Sequence, residues 1–321
     1  MGELSGRSVL VTGVNRPLGR RVAEVLHDEP WVGRVVGLES VSGSDWLEDV
    51  HFVADDKDMR QLVGLFDEFA IDTVIHCAFA ADRGGFSAEL SGGDVIYMLR
   101  LGAAITEPKT PVRSLVVASS SDVYPIETHA PLLYEEDAEL VSDDDSLPAT
   151  LVEAENYARE VAERALHIDV ALLRLAPVIG RGWRTPFGRL LGERPLPVPL
   201  GYDPTLQLLH VDDAVDALCF AAEKELAGVY NVASEGLLRW SQVPEALECR
   251  AVPLPPLELG PLRRVARTLG LPWIPEGLAP RLRLGHAVDT AKLAAAGYAP
   301  THDQLACLRE VAGPDPDGRT R

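Results

Sequence analysis

Basic residues, and lysine above all, are what this chain has least of. Against 49 acidic residues stand 30 basic ones, a formal net charge of -19, and only four of the 30 are lysines: Lys57, Lys109, Lys224 and Lys292. A balance of that sign argues against nucleic acid and against an anionic membrane surface as partners. Cysteine is scarce as well. Cys77, Cys219, Cys249 and Cys307 are widely spaced with no CxxC pair, which excludes a disulfide framework and suits unbridged thiols in a reducing compartment. No apolar run is long enough to span a bilayer, and the first residues show no basic stretch followed by an apolar one. The chain therefore reads as cytoplasmic. No repeat of fixed period is present, so a solenoid or propeller is excluded, and no metal site is expected. What remains is an ordinary globular composition, 46% hydrophobic and 25% charged over 321 residues. That length suits one large domain with a smaller lobe.

From Ser8 onward, short β-branched runs alternate with segments of helical spacing. The runs are 8–11, 34–38, 51–53, 73–76, 114–118 and 169–175, and the clearest helices are 18–26, 59–69 and 152–166. The runs are almost continuously apolar, as strands covered on both faces must be. The alternation predicts an α/β fold, a Rossmann-like doubly wound parallel sheet. After Gly180 the texture changes to Arg, Gly and Pro, followed by a helix over 212–224, a strand over 229–232 and a Pro-rich stretch over 253–261. The division expected is 1–180 as the sheet domain and 181–312 as mainly a smaller C-terminal substrate cap, with about 205–233 returning to the core. The last residues, 313–321, have no apolar face and are expected to form a flexible tail.

The first strand runs into Thr12-Gly-Val-Asn-Arg-Pro-Leu-Gly19. In a dinucleotide site the first glycine permits a tight turn and the last permits close helix-strand packing, while the helix N-terminus faces the pyrophosphate. Twenty residues after Gly19 comes Glu39, placed to accept hydrogen bonds from a ribose diol and to repel a 2′-phosphate. That favours NAD over NADP. The middle position of the turn is Arg16, which either fills part of the site or offers its guanidinium to phosphate. A turn that needs two glycines for packing alone is the other reading.

Further motifs follow in order: Ala54-Asp55, His76-Cys-Ala-Phe-Ala80, Ser119-Ser-Ser-Asp-Val-Tyr-Pro125, Leu173-Arg-Leu-Ala-Pro-Val-Ile-Gly180, His210-Val-Asp-Asp-Ala, Gly228-Val-Tyr-Asn-Val-Ala, Asp289-Thr-Ala-Lys and Gly297-Tyr-Ala-Pro. With the glycine turn they resemble the extended short-chain dehydrogenase/reductases, the NAD-dependent epimerases and dehydratases, over most of the chain. The resemblance implies an NAD(P)-binding domain over 1–180. Its cofactor contacts would fall on Gly13, Asn15, Arg16, Leu18, Gly19, Glu39, Asp55 at the adenine, Ala78, Ala80, Ser119 and Pro177. Ser120 matches the catalytic serine position, although three hydroxyls at a strand end also serve to satisfy backbone groups. In His210-Val-Asp-Asp-Ala, Asp212 or Asp213 is expected to cap the following helix. A homodimer is the form that family members often take.

The resemblance also implies a tyrosine with a lysine four residues later, the ammonium lowering the phenol pKa for proton transfer. None of the seven tyrosines has one. Alignment on Glu155 puts Leu147 and Leu151 at those positions; another register puts Glu155 and Arg159 there. The arginine that nucleotide-sugar members carry four residues before the histidine is Leu206, and the asparagine expected before Ser114 is Asp94. Arg181, Arg184, Arg189 and Arg194 lie in the segment that lines the substrate side, where Arg184 and Arg189 either hold an anion or are solvated. The loop 135–145 has seven acids and no base. If it closes over the cleft it disfavours a polyanion. Beside a pure interaction module with a vacant cleft, which Arg16 keeps open, two functions follow. One is a protein that keeps the fold and the nucleotide without the standard Tyr/Lys relay, in a non-redox or regulatory role. The other is an active oxidoreductase or epimerase on a small or sugar-like molecule, using Ser120 with Tyr124 or Tyr157 as proton donor.

Overall fold

A computed structural model describes residues 6–39, 50–55, 57–77, 92–141, 147–180, 185–254, 274 and 278–312. Strands β1 (Arg7–Thr12), β2 (Val32–Glu39), β3 (Val50–Ala54), β4 (Thr73–His76), β5 (Ser114–Ser120) and β6 (Asp169–Leu175) belong to one parallel sheet. Gly228–Val232 pairs beside β6 as its seventh strand, giving the order 3-2-1-4-5-6 and then this edge strand. The chain reverses its direction of winding between β1 and β4, the position where doubly wound sheets open a crevice at the carboxyl ends of their strands. The Rossmann-like sheet expected from the alternation is therefore present.

Helix α1 (Pro17–Asp28) buries Leu18, Val22 and Leu26, a four-residue spacing that makes one apolar face. Proline at its first position has no amide to satisfy there. Helix α2 (Met59–Phe69) starts at Asp58, whose carboxylate accepts from the Arg60 amide at 2.9 Å, and ends at Ala70 with φ 49°. Helices α3 (Gly92–Ile105) and α4 (Leu147–Arg164) pack against each other. All of β4 and β5 is buried, their polar residues Thr73, His76, Ser114, Ser119 and Ser120 lying near the strand ends.

A second apolar cluster lies in the C-terminal part. Phe187 and Leu190 of α5 (Pro186–Gly192) pack there with Leu196, Trp240, Leu282 and Leu308. Short strand pairs frame it, Leu196–Pro199 with Ala251–Leu254 and Thr205–Leu206 with Leu238–Arg239.

Helix α6 (Val211–Glu223) corrects one expectation. Its cap is His210, whose Nδ1 accepts from the Asp212 amide at 3.2 Å. Asp213 instead turns inward, is fully buried, and accepts from the Thr301 amide at 2.9 Å and the Thr301 hydroxyl at 2.6 Å. A buried carboxylate needs donors that the first turn of its own helix does not supply, so it ties α6 to the 301–302 loop.

Candidate functional site

The carboxyl ends of the six parallel strands bring together Thr12, Glu39, Ala54, His76, Ser120 and Leu175. At the first of them Gly13 has φ 76°, and the Arg16 amide donates to the Gly13 carbonyl at 2.9 Å, closing the turn. A Cβ on Gly19 would stand 2.2 Å from that same carbonyl oxygen, so α1 and the turn approach only because Gly19 lacks one. Asn15 is exposed, Leu18 is buried, and Arg16 sits half-buried at the head of α1 with no side-chain cap hydrogen bond. The first turn of α1 holds no acidic residue. Nothing there opposes a phosphate, and the helix dipole favours one.

Beside the turn, the His76 imidazole is fully buried, with Nδ1 2.6 Å from Thr12 Oγ1 and its ring stacked on Tyr97. Burial, reinforced by the Arg16 charge, lowers its pKa to about 3, so the ring is neutral at ordinary pH. Glu39 ends β2 half-buried, and its carbonyl accepts from the Asp55 amide at 2.8 Å. Arg100 on α3 donates to both carboxylate oxygens of Asp55 at 2.6 Å. That ion pair, 45 residues apart in the chain, has no sequence signature. Ala78 and Ala80 lie outside the described residues, as does Arg184. Pro177 follows β6, half-buried. Arg189 is exposed on α5.

The end of β5 is more crowded. Ser119 Oγ donates to Glu155 Oε1 at 2.6 Å, and Glu155, 1% exposed, also receives Arg174 at 2.8 and 3.1 Å and Arg159 at 2.7 Å. Arg174 Nη1 donates in turn to the Tyr124 hydroxyl at 2.7 Å, and that hydroxyl donates to Asn231 Oδ1 at 2.8 Å. Tyr124 is 1% exposed, and burial raises its pKa against the opposing pull of Arg174. A phenol so placed is neutral and has both its donor and an acceptor position filled.

On α4, Leu151 is buried on the same side as Glu155, one turn earlier. Leu147 starts the helix, and nothing is described of its side chain. Tyr157 is partly buried against the main core. It stands two residues beyond Glu155, roughly 200° around the helix from the face that reaches Ser119.

Ser120, 8% exposed, donates to Asp122 Oδ2 at 3.1 Å. The other oxygen of Asp122 receives Arg281, which comes from the helix Ala279–Leu284 of the C-terminal part, 159 residues away. His286 lies close by, its ring 5.4 Å from that of Tyr134. Burial and the Arg281 charge lower its pKa well below the ordinary histidine value. Sequence reading missed Asp122, Arg281 and His286 as site residues.

Comparison with known proteins places the fold. The structure resembles UDP-N-acetylglucosamine 4-epimerase from Bacillus cereus, with a TM-score of 0.70 at 17% identity over 96% of this chain and 98% of that one. It also resembles dTDP-glucose 4,6-dehydratase from Bacillus anthracis, solved in complex with NAD, with a TM-score of 0.72 at 14% identity over 96% of each chain. An uncharacterized protein of Mycobacterium tuberculosis is 31% identical over 300 residues, 91% of this chain and 80% of that one. The sequence model of the NAD dependent epimerase/dehydratase family matches residues 9–233, from β1 through the seventh strand of the sheet. The chain belongs to the NAD-dependent epimerase/dehydratase family.

Proposed function

We propose that the protein binds NAD along the carboxyl edge of the sheet and works without the tyrosine-lysine relay, in a non-redox or regulatory role. The observation that carries this reading is the Tyr124 hydroxyl, buried and committed to Asn231 and Arg174. A proton donor must reach the reacting atom within hydrogen-bond distance, and this one is spent on the core. Tyr157 faces away from Ser119, and the buried side chain one turn before Glu155 is leucine.

The residues fit the cofactor. Gly13, Asn15, Arg16, Leu18 and Gly19 would hold the pyrophosphate at the head of α1, Glu39 the adenosine ribose, and Asp55 with Arg100 the adenine end. Ser119 and Pro177 border the nicotinamide end, with Ala78 and Ala80 following β4. When bound, NAD supplies a hydride acceptor. The chain's own contribution is to orient it, with Ser120 and Asp122 facing the ligand. Several relatives of this fold, among them UDP-glucuronic acid 4-epimerase from Bacillus cereus, were solved with NAD, which supports the same cofactor here. Division into a cofactor domain over 1–180 and a cap over most of 181–312, and pairing as a homodimer, belong to the same proposal.

An assay of the protein with NAD and a panel of nucleotide sugars tests it. NAD is expected to bind, with no epimerised product and no reduced cofactor. Turnover that disappears in Tyr124→Phe or Tyr157→Phe would establish the rival reading, an active oxidoreductase using one of those phenols.

A further inference from the structure

Arg281 is 3% exposed. Burying a guanidinium is costly unless its five N–H bonds find acceptors. Nη2 donates to Asp122, but among the described residues Nε and Nη1 have no hydrogen-bond partner. His286 Nε2, on a residue 7% exposed whose ring feels the Arg281 charge, shares that condition. Buried polar groups of a native fold are satisfied by protein, water or ligand, so a group of them left open beside Ser120 calls for an occupant.

We propose that Arg281, anchored to Ser120 through Asp122, binds a carboxylate of the molecule that enters the cleft. A carboxylate only accepts, and its two oxygens match a planar set of N–H donors. One unit of charge is what the pair can take, because Asp122 already neutralises part of the guanidinium. Glu135, Glu136, Asp137 and Glu139 crowd the loop beyond Tyr124, where Glu136 reaches the Asn231 amide and adds negative field against a phosphate dianion. The anion-binding arginine is thus in the helix 279–284 and not at the exposed Arg189 of the Arg-rich segment. This inference rests on the proposed reading for the position of the cleft and requires no hydride chemistry.

Titration calorimetry with gluconate, sorbitol and inorganic phosphate, with and without NAD, is the test. Gluconate and sorbitol differ only in the carboxylate. The protein is expected to bind gluconate and neither of the others, with affinity falling roughly ten- to hundredfold in Arg281→Gln. Arg281→Lys, which keeps the charge and loses the planar donors, should fall between. Equal binding of sorbitol, tighter binding of phosphate, no binding of gluconate, or gluconate binding that survives Arg281→Gln would overturn the proposal. Should that variant not fold, the Nε–H resonance of Arg281 in the unaltered protein decides: it shifts with gluconate, or its indifference overturns the assignment. Gluconate binding that depends on Arg281 in a protein with no affinity for NAD would refute the cofactor reading and leave this one standing.

Discussion

Tyr124 illustrates how one residue changes meaning once its partners are known. In sequence it ends a serine-rich motif and invites a catalytic role; in the fold its hydroxyl joins Arg174 to Asn231. Tyr124→Phe should therefore lower stability by about 1–3 kcal/mol in denaturant unfolding, because Asn231 Oδ1 loses its donor, while NAD affinity stays unchanged. Glu155→Gln should cost more, about 3–5 kcal/mol, since two arginines lose the carboxylate that compensates them, one of them 1% exposed. His76 gives a pH signature. Its pKa drops from the ordinary histidine value of 6.5 to about 3 on folding, so below pH 6.5 the unfolded chain takes up a proton that the folded chain refuses. Its neutral form contributes fully above pH 6.5, and stability is lost progressively as pH falls from 6.5 towards 3. Unfolding curves of His76→Gln should lack that slope, and an unaltered slope would count against the assignment.

Elements were legible where the pattern is local. Strand runs and the 59–69 helix follow directly from the sequence, because a continuous apolar run or a 3.6-residue period is written into adjacent residues. The two- to four-residue strands around the second core carry too few residues to show a period. The cap of α6 was misplaced for a related reason: Asp212 and Asp213 both look like caps, and only the distant Thr301 shows that Asp213 is needed elsewhere. The joint between β1 and α1 offers the sharpest test at this scale. Gly19→Ala sets a methyl 2.2 Å from the Gly13 carbonyl oxygen, so the helix must move away from the turn. Both melting temperature and NAD affinity should fall together; an alanine variant with unaltered NAD affinity would show that this turn does not hold the pyrophosphate.

At the scale of the whole molecule, the site joins parts of the chain that sequence cannot connect. Ser120 and Asp122 come from the end of β5, Arg281 from the C-terminal part and Asn231 from the seventh strand of the sheet. Glycine spacing and Glu39 pointed to a nucleotide in advance; the ion pairs did not announce themselves, because each partner alone is an ordinary charged residue. No described helix is long and apolar enough to cross a membrane. Helix α3 exposes Ile96 and Leu99, 64% and 47% accessible, which the proposed homodimer would cover. Sedimentation should give twice the chain mass, falling to the monomer in Ile96→Glu/Leu99→Glu. The central claim, a nucleotide held at the head of α1 by a protein whose phenols do not serve as proton donors, begins with binding itself. Titration calorimetry with NAD should give one saturable site, with NADP weaker because Glu39 faces the 2′-phosphate. No heat of binding at millimolar NAD would contradict it.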